Sequence, residues 1–101
     1  MRHDLLRSGD HNALRDLCVR YGVVELSLFG SFARGDAEGG SDVDLLVAFA
    51  PDRAVGFLTL ARLQHELESL FGRAVDLVPK RGLKALIRDE VLPQAHVLYA
   101  A

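Results

Sequence analysis

The sequence predicts a small α/β domain, a mixed sheet of three or four strands with helices packed on it. Three observations carry that reading. Half of the 101 residues are apolar and 26% are charged, which suits one packed core and excludes wholesale disorder. Segments with an apolar period near 3.6 are interleaved with short alternating or continuous apolar runs. Glycine and proline fall at nearly every boundary between them. The length fits a single domain over residues 1–101, a size that buries roughly 60–70% of the unfolded surface.

The first helix is expected from Asp10, a good N-cap, to Tyr21, with Leu14, Leu17, Cys18 and Tyr21 on one stripe and Gly22 at its stop. Val23 to Phe29 reads as a strand, with Val24, Leu26 and Leu28 on one face and Val23, Glu25, Ser27 and Phe29 on the other. Gly30-Ser31 breaks it, Phe32 to Gly35 forms a single helical turn, and residues 36–41 have loop chemistry. Asp42 to Phe49 is a second strand, apolar on both faces after its first three residues and therefore central. Pro51 ends it. Phe57, Leu60, Leu63, Leu67, Leu70 and Phe71 mark a long amphipathic helix closed by Gly72. Ala74 to Val78 is a short third strand ended by Pro79. A further helix covers about Leu83 to Leu92 before Pro93, and Val97 to Tyr99 adds an edge strand. Only a dozen residues join the first two strands, so an antiparallel pair is expected there rather than a crossover.

Composition excludes several classes of function. No apolar run reaches the ~18 residues that span a bilayer, and the charged stretch Met1 to Arg7, without an apolar core, is not expected to act as a signal peptide. One cysteine, Cys18, permits no intramolecular disulfide and no cysteine-based zinc cluster. A cytoplasmic protein is the expectation. Twelve basic against fourteen acidic residues give a net charge of −2, which disfavours direct nucleic-acid binding.

Three features point to chemistry together: Gly30-Ser31 after a strand, Asp42 and Asp44 opening the next, and Asp76 inside the third. Each has a plainer reading alone, as a turn, a solvated cap, and an edge or salt-bridged carboxylate. In combination they say more. Residues i and i+2 of a strand share a face, so Asp42 and Asp44 project together, and Asp76 joins them if the third strand lies beside the second. Three carboxylates on one spot repel and take up protons unless a cation neutralises them. An all-oxygen set without His or Cys suits Mg²⁺ or Mn²⁺ rather than zinc. Gly30 lets backbone approach a ligand closely, N–H groups at the start of a helical turn attract anions, and Arg34 lies one turn on. A metal trio facing an anion cradle is what a nucleoside triphosphate and its magnesium require, so the site is read as one for phosphoryl or nucleotidyl transfer.

The stretch from Leu28 to Val47, with Gly30-Ser31, ten residues, then Asp42-Val43-Asp44, resembles the signature of the DNA polymerase β-type nucleotidyltransferases. A chance match to that pattern in this length is about one in a thousand from ordinary composition. Within that superfamily the chain is similar to the minimal nucleotidyltransferases, the antitoxin half of nucleotidyltransferase/HEPN toxin–antitoxin pairs. The resemblance implies a polymerase β-like fold. It also implies nucleotide binding by Gly30, Ser31 and Arg34, and two Mg²⁺ ions on the catalytic carboxylates Asp42, Asp44 and Asp76. It implies ATP as substrate, and transfer of AMP with release of pyrophosphate to a hydroxyl, a tyrosine, on a HEPN-type toxin. No acceptor-binding domain is expected in the chain, so the acceptor arrives on a partner. The alternative is a binding module that neutralises its partner by complex formation alone; transfer to RNA or an antibiotic with a helper domain is a third reading.

The remaining features have simple readings. Arg81, Lys84 and Arg88 form a solvated face of the last helix or a docking patch. His3, His11, His65 and His96 lack metal-pair spacing, Ser41 caps a strand, and Leu60, Leu63, Leu67 and Leu70 form a packing stripe.

Overall fold

In the computed structural model the chain runs α1 (Asp10–Tyr21), β1 (Val23–Phe29), α2 (Gly30–Arg34), β2 (Val43–Phe49), α3 (Phe57–Phe71), β3 (Val75–Pro79) and β4 (His96–Ala100). Single 3-10 turns occupy Lys80–Gly82 and Leu92–Gln94. The structure describes residues 10–37, 42–83 and 89–101. The strands form one mixed sheet in the order β3-β2-β1-β4. β1 is antiparallel to both β2 and β4, as the short β1–β2 link requires, whereas β2 and β3 are parallel and joined through α3.

One face of the sheet carries the core. Val43, Leu45 and Val47 of β2, Leu26 and Leu28 of β1, and Val75 and Leu77 of β3 are buried with Leu14, Leu17 and Cys18 of α1 and Leu63, Leu67 and Phe71 of α3. Burying each such leucine stabilises the fold by about 1.5–3 kcal/mol. Tyr21 donates its hydroxyl to Glu66, and Arg20 pairs with the same carboxylate at 3.3 Å, which fixes α1 against α3. On the opposite face Ser27 and its register partner Leu46 are also buried, so β2 is apolar on both sides as expected of a central strand. Among the described residues no helix is long and apolar enough to cross a membrane.

Four expectations are corrected. Val24 does not share a face with Leu26 and Leu28: it is exposed while Val23 is in the core. A bulge places Val23 opposite Phe49 and Glu25 opposite Ala48, and the extra residue reverses the alternation. Phe57 is not part of the buried stripe and is 84% exposed. At 100° per residue it lies about 90° from the line through Leu60, Leu63, Leu67, Leu70 and Phe71, on the flank of the helix. Leu83 is extended rather than helical, because the chain has just left a 3-10 turn. Half of the expected Leu83–Leu92 helix, residues 84–88, lies outside the described residues; residues 89–91 are helical and pass into the 3-10 turn that holds Pro93. Finally, Arg81 sits on the Lys80–Gly82 turn rather than on that helix, and Lys84, Arg88, His3 and Ser41 lie outside the described residues.

Candidate active site

Strand register assembles the site at one end of the sheet. β1 ends at Phe29, paired with Asp44, and the chain turns at once into α2 through Gly30. On the other side of β2, Asp44 is the direct register partner of Asp76. Parallel neighbours at the same register point to the same face about 4.8 Å apart. Asp44 is thus flanked by the Gly30 turn and by Asp76. Asp42 lies two residues back, just before the strand begins. Asp76 sits on an edge strand and is exposed, so its carboxylate keeps access to solvent although the strand around it is apolar.

Gly30 is where backbone geometry and chemistry meet. Its φ is +72°, and a Cβ built there would stand 2.1 Å from Asp44 Oδ2 and 2.9 Å from its Cγ. Only glycine combines the left-handed conformation with room for the carboxylate. The α2 turn that follows is closed by two donors on one acceptor, the N–H groups of Gly35 and Asp36 both bonding to the Ser31 carbonyl at 2.9 and 3.0 Å. A five-residue helix is not stable alone; Ala33 is buried in the core and Phe32 packs against it.

The charges follow from this packing. Partial burial holds the Asp44 carboxyl above the usual carboxylate range, the charges of Asp76 and Asp42 push it further up, and Arg34 opposes them. Arg34 also pairs with Asp36 at 3.2 Å on the exposed side of α2. All three predicted carboxylates, Gly30, Ser31 and Arg34 are therefore brought to one end of the sheet. Among the described residues, however, no three acidic, His or Cys side chains stand close enough to enclose an ion as they are. They converge without closing into a ligand set.

Sequence reasoning missed one contact here. The Arg73 guanidinium lies over the Phe32 ring, 5.0 Å from its centroid. It links the turn before β3 to the α2 turn, and nothing in the spacing of residues 32 and 73 could have signalled it.

The sequence profile of the nucleotidyltransferase domain family matches residues 11–96. A protein adenylyltransferase, MntA, of Thermococcus cleftensis is 44% identical over 78 residues, 77% of this chain and 77% of that protein. A candidate protein adenylyltransferase of Methanocaldococcus jannaschii is 35% identical over 79 residues, 78% of this chain and 83% of that one. Among solved structures, a candidate minimal nucleotidyltransferase superimposes with a TM-score of 0.73 at 45% identity, covering 87% of this chain and 88% of that chain. A toxin–antitoxin structure with AMP-PNP gives a TM-score of 0.73 at 25% identity, over 90% of this chain and 73% of that one.

Proposed function

The chain belongs to the nucleotidyltransferase domain family, and from that premise we propose that it transfers AMP from ATP to a hydroxyl of a partner toxin, as a protein adenylyltransferase and antitoxin. The observation that carries the reading is Asp44, set between Gly30 and Asp76 with its carboxyl pushed up by burial and by two neighbouring carboxylates. That arrangement favours a bound cation. The donors are all oxygens, as Mg²⁺ prefers, and the missing Gly30 side chain leaves room for the Asp44 carboxylate to stand against the turn.

Asp42, Asp44 and Asp76 would hold the metal, two Mg²⁺ ions by the family resemblance. When bound, these lower the pKa of the acceptor hydroxyl and offset charge on the departing pyrophosphate. Gly30 and Ser31 present backbone N–H groups to the triphosphate, and Arg34 adds a positive charge beside it. The acceptor oxygen attacks the α-phosphorus, the bond from α-phosphorus to pyrophosphate breaks, and the hydroxyl proton passes to Asp76. Positioning and charge stabilisation are the protein's contribution, since the reaction needs no covalent intermediate.

The relatives named as adenylyltransferases support protein as the acceptor, and the toxin–antitoxin structure with AMP-PNP supports ATP and a toxin partner. A HEPN-type toxin and a tyrosine hydroxyl are the specific acceptor we assign. The test is incubation with α-labelled ATP, Mg²⁺ and the product of the neighbouring gene, with Asp44→Asn as control. Label on the neighbour from the unsubstituted protein alone is the expected result, followed by mapping of the labelled tyrosine. A stable complex formed equally by both proteins, with no label, would leave the binding-only antitoxin in its place.

A further inference from the structure

We infer that the protein has a second binding site, for a small organic anion, at the end of the sheet opposite Asp44. Phe49 and Pro79 close β2 and β3 there. The five residues from Asp44 to Phe49 put that end about 17 Å away along the strand, too far for one small ligand to touch both sites. A pocket of about 160 Å³ lies between Phe49, Arg53, Val55, Leu60, Pro79 and Arg81. Cavities near 150 Å³ hold a benzene-sized body. With Ala50, which also lines it, five of the seven lining residues are apolar, and both charged ones are arginine.

The two arginines define what that body must carry. Among the described residues neither Arg53 nor Arg81 is in an ion pair, and no acidic residue lines the pocket. Arg53 is seated by its surroundings. Its N–H bonds to the Ala50 carbonyl at 3.0 Å, and the Ala50 N–H bonds to the Gly22 carbonyl at 2.9 Å. The side chain then lies across Gly22, where a Cβ would stand 2.8 Å from Arg53 Cγ and Nε. Gly22, with φ +75°, gives up its side chain and the arginine occupies that space. Arg81, on the Lys80–Gly82 turn, lines the same pocket. The α3 helix starts beside the pocket with no acidic residue in its first turn, so its dipole adds to the positive potential. Two guanidiniums over an apolar floor match a carboxylate or phosphate on a small apolar group. In a chain of net charge −2 the patch is not a general basic surface.

The full chain titrated with benzoate, phenyl phosphate and benzyl alcohol, followed by ¹H–¹⁵N NMR, tests this. Expected are saturable shifts at the Phe49, Val55 and Arg81 amides with benzoate or phenyl phosphate, the tighter of the two identifying the head group. Arg53→Ala and Arg81→Ala, both exposed positions, should each weaken binding about tenfold and leave the rest of the spectrum in place. No saturation by about 10 mM, equal binding of benzyl alcohol, or undiminished binding in both variants would overturn the site. Shifts confined to Gly30 and Ser31 would do the same. The outcome is independent of whether the protein adenylylates anything.

Discussion

Gly30→Ala is the substitution on which the description of the site most directly depends. An alanine at φ +72° costs about 1–2 kcal/mol in left-handed backbone alone. Its Cβ would also stand 2.1 Å from Asp44 Oδ2, short of the 3.4 Å at which ordinary contact begins. The carboxylate must therefore retreat by about 1.3 Å or carry the turn with it. With both terms the loss is about 2 kcal/mol, and at 4–8 °C per kcal/mol for a domain of this size Tm falls by about 8–16 °C. A displacement near 1 Å at a reacting centre costs about a hundredfold in rate, so labelling of the partner should fall by about that factor. A double-mutant comparison by thermal unfolding separates the two causes. In an Asp44→Ala background the collision with the carboxylate is gone, leaving the backbone cost and a 3.1 Å contact with the Cβ of residue 44, so the same substitution should lower Tm by about half as much. The reasoning fails if Gly30→Ala changes Tm by less than about 2 °C, or costs the same in both backgrounds.

The raised Asp44 carboxyl has a definite sign. Because its folded-state pKa lies above the unfolded one, the metal-free protein is most stable, as far as this group goes, below the ordinary carboxylate range and loses that increment as pH rises through the folded value. Urea unfolding in EDTA should show this slope, and Asp44→Asn should flatten it and raise stability near neutral pH. A variant less stable than its parent in EDTA would mean that Asp44 is a structural partner instead. In the opposite direction, Mg²⁺-dependent transfer should fail on acidification at a higher pH than an ordinary carboxylate titrates, in a pH–rate profile. Burial pushes the Cys18 thiol up to about 11. At pH 8 only about one in a thousand is thiolate, so iodoacetamide should react at least a hundredfold more slowly than with the urea-unfolded chain. Equal rates would place Cys18 outside the core. Leu67, fully buried between α3 and the sheet, should cost about 2–5 kcal/mol on replacement by alanine, measured by denaturant unfolding. A loss under 1 kcal/mol would contradict the packing.

Much of the fold was legible in the sequence because local rules govern it. Helical spacing of Leu14, Leu17 and Cys18, the continuous apolar run of β2, and glycines or prolines at element ends are each set within a few residues. The Gly30-Ser31 and Asp42-Asp44 pairs were legible for the same reason. Their spacing places a backbone turn and two carboxylates at adjacent strand ends whatever the rest of the chain does. The pairing of Asp44 with Asp76 was different: 32 residues apart in the chain, they meet only if β3 lies parallel beside β2. No local pattern fixes that, because strand order is decided by how α3 covers the sheet.

The features that escaped are those that depend on neighbours distant in sequence. The bulge at Val23–Glu25 reverses a burial pattern that simple alternation assigns the other way, and only pairing with β2 reveals the extra residue. Arg73 over Phe32 and Arg53 across Gly22 join segments dozens of residues apart. By itself the sequence determined which residues we propose for nucleotidyl transfer, since residue chemistry and short spacing are written in the chain. Tertiary structure alone decided how those charges act on one another, because their interaction depends on distance and burial across strands that only the folded sheet brings together.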